Sequence, residues 1–307
     1  CEAVKKSKKL LALLLCLAMV FGLAACGNSN KPADSQTPAP GTNTETPAPE
    51  TETPGETEAD PDAIEDSMTS ADGTYQVAFV TDVGQLKDKS FNQGSWEGLV
   101  KYAEEKGISH QYYKPTEKST DAYLSAIDLA VKGGAKIIVC PGFLFEEPVN
   151  IAMETYPEVQ FIAIDCVLTE PTENAIGITY AEDQVGFLAG YAAVKDGMTN
   201  LGYMGGMAVP AVQKYGYGFL QGAEYAAQEM GLGEGAITVK YHYTGGFDAT
   251  PEAKAMAASW YKEGAEVIFA AGGAVGNSVM AAAEEAGAKV IGVDVDQSGE
   301  SNTVITS

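Results

Sequence analysis

The residues of this chain that could do chemistry recur at one kind of position, directly after a short apolar run. Asp82 follows QVAFV, Pro141-Gly142 follow KIIVC, Asp165 follows FIAI and Glu182-Asp183 follow ITYA. In the second half Gly205-Gly206, Gly245-Gly246-Phe247-Asp248, Gly272-Gly273 and Asp294-Val295-Asp296-Gln297 take the same place. The loop after QVAFV, TDVGQLKDKSFNQGSWEGL, adds Phe91 and Asn92, with Lys87 and Lys89 read as solvated loop charges. Carboxylates accept hydrogen bonds from hydroxyl and N–H groups, and aromatic faces stack on flat rings. The set therefore suits a polyhydroxylated or amide-rich ligand with a flat ring. Each residue also has a plainer use. Asp82 and Asp165 can cap a turn or a helix, and Phe91 and Phe247 can be core. Against the core reading, both phenylalanines sit among Ser, Asn, Gly and Asp. Trp96 and Trp260 fall inside amphipathic stretches and read as packing residues.

The elements that must hold these residues alternate steadily from residue 74 onward. Strand-length apolar runs (QVAFV, SHQYY, KIIVC, VQFIAID, AIGITY, NLGYMGG, AITVKYHY, EVIFAA, KVIGVDVD, TVITS) are separated mostly by helix-length amphipathic stretches, several closed by Gly. Such a βα alternation predicts α/β architecture with parallel sheets covered by helices on both faces. The length suits two doubly wound lobes, 74–180 and 181–299, with 300–307 expected to return to the first. In sheets of this kind ligands bind where strands end and helices begin, which is where the candidate residues lie.

Several chemistries are disfavoured. GGAVGN follows a strand and opens a helix, but its spacing is not G-x-G-x-x-G, and no G-K-[ST] follows. The chain contains no Arg, the usual bidentate holder of carboxylate and phosphate, and a cleft lined by Asp82, Asp165 and Asp294 repels anions. A neutral, donor-rich solute fits better. An enzyme reading lacks a G-x-S-x-G elbow and a Ser/His/acid set, so a binding role is expected. With two His, no Cys/His cluster and a net charge of −23, neither a zinc site nor nucleic-acid binding is expected. Cys140 and Cys166 each follow an apolar strand, and spacing leaves open whether they pair or stay as buried thiols.

The first 73 residues read differently. Lys5, Lys6, Lys8 and Lys9 precede an uncharged run, Leu10 to Ala25, that ends in Leu-Ala-Ala before Cys26. This has the layout of a secretory signal over 1–25. The close resembles a lipobox, which makes Cys26 a candidate for diacylation and membrane anchoring. Residues 26–73, rich in Thr, Pro and Glu with eleven acids and one Lys after the Cys, are expected to be a disordered stalk.

Taken together, TDVGQLKDKSFNQGSWEGL, FIAID, EDQVGFLAGYAA, GYMGGMAVPAV, YGFLQG, GGFDATPEAKAMA, GAEVIFAAGGAVGNSVMAAA and IGVDVDQ resemble the basic membrane protein (Bmp) family, in family order from about Tyr75 to Gln297. These are substrate-binding lipoproteins of ABC importers, including the purine nucleoside receptor A type. The resemblance implies the type I periplasmic-binding-protein fold, two α/β lobes closing on a nucleoside, most often a purine nucleoside, with ABC permease and ATPase subunits as partners. It also implies no cofactor and an extracytoplasmic, lipid-anchored location. Position by position, it makes Asp82 and Asn92 contacts to the base edge or ribose, Phe91 and Phe247 the walls of a base sandwich, and Asp165 the acid at the base edge. Gly273 becomes the close backbone approach to the sugar, and Asp294 the carboxylate for the ribose hydroxyls. The family continues past this point with a strand, a helix and a ligand-contacting Lys, so the chain is expected to be a fragment lacking the C-terminal part of its first lobe. A sensor or adhesion lipoprotein, or a receptor for another neutral solute such as a sugar, is the competing expectation.

Overall fold

The computed structural model describes residue 70 and residues 72–169 and 172–307. The expectations for the signal over 1–25, for Cys26 and for nearly all of the 26–73 stalk lie outside the described residues.

Among the described residues ten strands form two five-stranded, all-parallel sheets. The first takes β1 (Val77–Val80), β2 (His110–Tyr113), β3 (Ile137–Pro141), β4 (Gln160–Ile164) and β5 (Ala175–Ile178) in the order β2-β1-β3-β4-β5. The second takes β6 (Asn200–Gly205), β7 (Thr238–Tyr243), β8 (Val267–Ala271), β9 (Lys289–Ile291) and β10 (Val304–Thr306) in the order β10-β9-β8-β6-β7. Read from the other edge, the second sheet repeats the first. In each, the leading strand lies second from one edge, and the order reverses there. The continuous burial of VAFV in β1 and VIFAA in β8 follows from this topology, because central parallel strands are covered on both faces.

Helices α1 (Phe91–Lys106), α2 (Thr120–Lys132) and α3 (Glu146–Thr155) belong to the first lobe, with a 3₁₀ turn at Phe143–Phe145 leading into α3. Helices α4 (Glu182–Lys195), α5 (Pro210–Glu229), α6 (Pro251–Lys262) and α7 (Val275–Ala286) belong to the second. Local chemistry sets several starts. Ser119 Oγ accepts the Ala122 N–H, Thr250 Oγ1 accepts the Ala253 N–H, and Pro251 occupies the first turn of α6. Each sheet has an apolar core on both faces: Phe145, Ile127 and Phe161 on one side of the first and Trp96, Phe79 and Leu86 on the other. In the second lobe, Phe219, Tyr203 and Phe269 face one way and Ile268, Val279 and Val290 the other. Trp96 is fully buried and half-buried Trp260 packs on the second lobe's core, as expected of both.

Helices α4 and α5 touch along glycine. A Cβ placed on Gly222 would lie 1.9 Å from the Phe187 carbonyl, and one on Gly190 would lie 2.0 Å from the Phe219 carbonyl. Only glycine admits that approach, which fixes α5 and carries Tyr215 to the edge of the cleft.

One expectation is corrected here. Residues 300–307 do not return to the first lobe: β10 pairs in parallel with β9, Val304 opposite Val290, and extends the second sheet. The reason is topological. β10 stands to the second sheet as β5 stands to the first, each a short edge strand beside the strand that precedes it. Among the described residues no helix is long and apolar enough to cross a membrane. Cys140 and Cys166 are both buried free thiols.

Candidate functional site

The strand ends of both sheets meet at one cleft of about 670 Å³ between atoms, solvent-open space included. Asp82, Phe91, Asn92, Asp165, Phe247, Gly273 and Asp294, the seven residues singled out from the sequence, all line it. Asp88, Gly142, Phe143, Tyr215, Gly272 and Val293 line it as well.

Asp82, at the end of β1, is buried. Its Oδ1 accepts the Gly84 N–H at 2.7 Å and the Asn92 side-chain N–H at 2.9 Å. Backbone crowds it closely enough that a Cβ on Gly84 would lie 3.0 Å from Asp82 Oδ1, and one on Gly142 3.3 Å from Oδ2. Burial raises its carboxyl above the usual range, against the two hydrogen bonds. Asn92 spends its amide on Asp82, and its Oδ1 is a buried acceptor with no protein donor among the described residues.

Asp165 and Asp294 occupy equivalent places, one just past β4 and the other a few residues past β9. Both take left-handed backbone, φ 60° and 70°. A non-glycine residue held there is uncommon, and such strain gathers at ligand sites. Asp165 Oδ1 is buried with no donor among the described residues. Burial, then Glu182 and Asp294, push its carboxyl up to about 7, with Lys214 opposing. Asp294 accepts from Ser90 Oγ at 2.5 Å. It stands in a crowded part of the cleft yet keeps a solvent-exposed surface, so water offsets part of the push, to about 6, that the crowding gives its carboxyl. Asp88 rises to about 6 because burial outweighs the three backbone N–H groups it accepts.

Four acids thus line one cleft, and among the described residues no Lys or Arg lines it with them. Lys118 and Lys214 act on Asp82 and Asp165 only as weaker opposing charges. Unionised or ionised, these groups present acceptors. The two oxygens without a protein donor, Asn92 Oδ1 and Asp165 Oδ1, are open to donors from water or a ligand, since an unpaired buried acceptor costs roughly 1–3 kcal/mol. Phe91, at the first turn of α1, and Phe247, in the loop after β7, bring an aromatic face from each lobe. Among the described residues no group of three or more His, Cys, Asp or Glu is arranged to hold a metal.

Sequence reasoning missed Asp88, Ser90 and Tyr215. Lys89, read as a solvated charge, is exposed, and its Nζ also pairs with Glu300 Oε2 of the other lobe at 2.5 Å, a contact with no local signal. Asp88 lay in view inside DKSFNQ, two residues before Ser90 and four before Asn92, a spacing that lets a carboxylate cap the following helix. Tyr215 had no local signal, because only the α4–α5 contact turns it toward the cleft.

Two doubly wound lobes whose strand ends line one cleft define the type I periplasmic-binding-protein class. The comparisons narrow this. Residues 75–307 match the family described as Bmp, ABC transporter substrate-binding protein PnrA-like, and the chain belongs to that family. Among its relatives, the ABC transporter nucleoside-binding protein BmpA of Lactococcus lactis subsp. cremoris is 30% identical over 235 residues, 72% of this chain and 64% of that protein. Basic membrane protein A of Borreliella afzelii is 32% identical over 241 residues, 76% of this chain and 71% of the relative. The chain thus spans just under two thirds of the length of the first of these. Among solved structures, an ABC transporter system solute-binding protein from Aeropyrum pernix is 28% identical with a TM-score of 0.68, covering 76% of this chain and 66% of that one.

Proposed function

We propose that this protein captures a nucleoside, specifically a purine nucleoside, between its two lobes and hands it to the permease and ATPase of an ABC importer. In this reading it binds and releases its ligand without turnover. It works on the extracytoplasmic side of the membrane, held by a lipid on Cys26. The observation that carries the reading is the character of the cleft: four acids and two donorless buried oxygens, flanked by Phe91 and Phe247, with no cation in the lining. Ribose hydroxyls and the N–H groups of a base supply donors, and a purine ring supplies the flat face that two phenylalanines need. Phosphate or carboxylate would meet like charge. The name of the Lactococcus relative, a nucleoside-binding protein, supports the same substrate class.

The test is thermal unfolding of the Cys26→Ser protein with adenosine, guanosine, inosine, uridine, ribose and several amino acids. A ligand at about 100 times its Kd adds about 2.7 kcal/mol of stability, a shift of several degrees. Purine nucleosides should give it. A response to a free sugar alone would replace the nucleoside by another neutral solute.

A further inference from the structure

Ser90 directly precedes α1, where a serine hydroxyl ordinarily accepts one of the first free amides of a helix. It makes no such bond. Asp88 does the capping instead, accepting the N–H groups of Ser90 at 2.8 Å, Asn92 at 3.0 Å and Gln93 at 3.1 Å. That frees the hydroxyl of Ser90, a fully buried residue, to donate across the cleft to Asp294 Oδ2 at 2.5 Å. The neighbouring backbone reaches the same way. Gln297 Nε2 donates to the Lys89 carbonyl at 2.8 Å and Asn277 Nδ2 to the Asp88 carbonyl at 3.4 Å. Lys89 itself takes a left-handed φ of 57°, a conformation lysine seldom adopts, at the centre of these contacts.

We infer that residues 88–90 form a latch between the lobes, and that Ser90 is a positioning residue that couples ligand contact to closure. This rests on the binding role proposed above. Asp294 lines the cleft, and Ser90 holds one of its carboxylate oxygens. The Asp294 side chain is therefore fixed for a ligand only while the first lobe's loop is docked. By linkage, a ligand that holds Asp294 in place favours the docked loop to the same degree. The substitution of Asp88 for Ser90 as the helix cap is what makes the arrangement testable, because removing the hydroxyl leaves the cap intact.

The experiment compares wild type, Ser90→Ala, Asn277→Ala and Glu300→Gln in the full chain, spin-labelled through cysteines introduced at exposed Glu105 and Glu234, one on each lobe. All of these proteins carry Cys1→Ser, Cys16→Ser and Cys26→Ser, and Cys140 and Cys166 are buried and should not compete for label. Inter-lobe distance distributions are recorded alone and with adenosine, guanosine, inosine and ribose, and Kd and dissociation rates are measured alongside. Ser90→Ala should melt close to wild type without added ligand. With saturating nucleoside it should show a smaller closed population and an approximately tenfold higher Kd, about 1.4 kcal/mol, expressed in faster dissociation. Asn277→Ala should move in the same direction by less, and it keeps the test open if Ser90→Ala melts early. Glu300→Gln, which removes only the exposed Lys89 pair, should leave closure unchanged. The latch is overturned if both Ser90→Ala and Asn277→Ala close as wild type does, or if Ser90→Ala weakens binding with the closed population intact. Closure of wild type with ribose but no nucleoside, still lowered by Ser90→Ala, would leave the latch and remove the nucleoside assignment. A wild type that closes with none of the four removes both.

Discussion

Replacing Asp165 by Asn should change ligand affinity and the pH dependence of stability together, which makes it the most discriminating single substitution. The folded protein holds this carboxyl at about 7, chiefly by burial, against 3.8 for the ordinary group. Below pH 3.8 it is protonated in both folded and unfolded chains and costs nothing. Between 3.8 and 7 the unfolded chain releases its proton first, so the folded state loses stability as pH rises, and the loss is complete above about 7. Three pH units at 1.36 kcal/mol each set a ceiling near 4 kcal/mol, and about 2 kcal/mol is expected for a carboxyl that water partly reaches. Asparagine tolerates the left-handed backbone at this position and does not ionise, so Asp165→Asn should remove that slope. Thermal unfolding from pH 4 to pH 8 without added ligand should show wild type losing ground across the range and the variant losing less. At pH 8, where Asp165 is ionised, a charged acceptor at Oδ1 becomes a neutral one. Hydrogen bonds to charged groups contribute roughly 1 kcal/mol more than neutral ones, so Kd for a purine nucleoside should rise about fivefold to tenfold. Parallel unfolding profiles for the two proteins, with equal Kd, would refute the placement of Asp165 as a buried ligand acceptor.

Phe91→Ala should weaken purine nucleoside binding by roughly 1–3 kcal/mol, the usual value of a base stacked on an aromatic ring, with a smaller effect on free ribose; calorimetric titration of both ligands measures the difference. Gly222→Ala should destabilise the second lobe by roughly 1–3 kcal/mol in urea unfolding, since its methyl meets the Phe187 backbone rather than a side chain that could move. Lowering pH from 8 to 5 should weaken nucleoside binding as Asp165, Asp88 and Asp294 take up protons and lose acceptor strength. A Kd that stays flat over that range would show that none of the three touches the ligand as a carboxylate.

How much of this was legible beforehand differs by level. Every one of the ten apolar runs became a strand: the central ones, such as β1 and β8, are apolar on both faces, while the half-covered edge strands β2, β5, β7 and β10 were legible from their length and their place in the βα alternation. Helix α3, EEPVNIAMET, is the least legible of the helices. Its Pro148 looks like a breaker but sits in the first turn, where the missing N–H has no intrahelical partner to lose. The seven site residues were readable because the doubly wound topology sends strand ends to one place. What escaped depends on contacts distant in sequence: which sheet takes 300–307, where α5 points Tyr215, and that Lys89 and Ser90 reach the other lobe.

The two lobes do not contribute alike, and this bears on the order of events. By strand position, Asp165 past β4 answers Asp294 past β9, and Gly142 after β3 answers Gly272 after β8. At the first position the match breaks: β1 leads to buried Asp82, while β6 leads to Gly205-Gly206, where a Cβ on Gly206 would strike the Phe247 ring at 2.5 Å. The first lobe therefore holds Asp82, Asp88 and Asp165 together with both orphaned oxygens, and the second offers one acid, Asp294, amid glycine backbone and Phe247. Donor recognition is concentrated on the first lobe. A ligand should accordingly settle there first and recruit the second lobe through Asp294 and Phe247. On that argument, substitutions at Asp82 or Asn92 should slow association as well as speed dissociation. Those at Asp294 or Phe247 should act almost wholly on dissociation, and stopped-flow binding of a purine nucleoside to the four variants separates the two patterns.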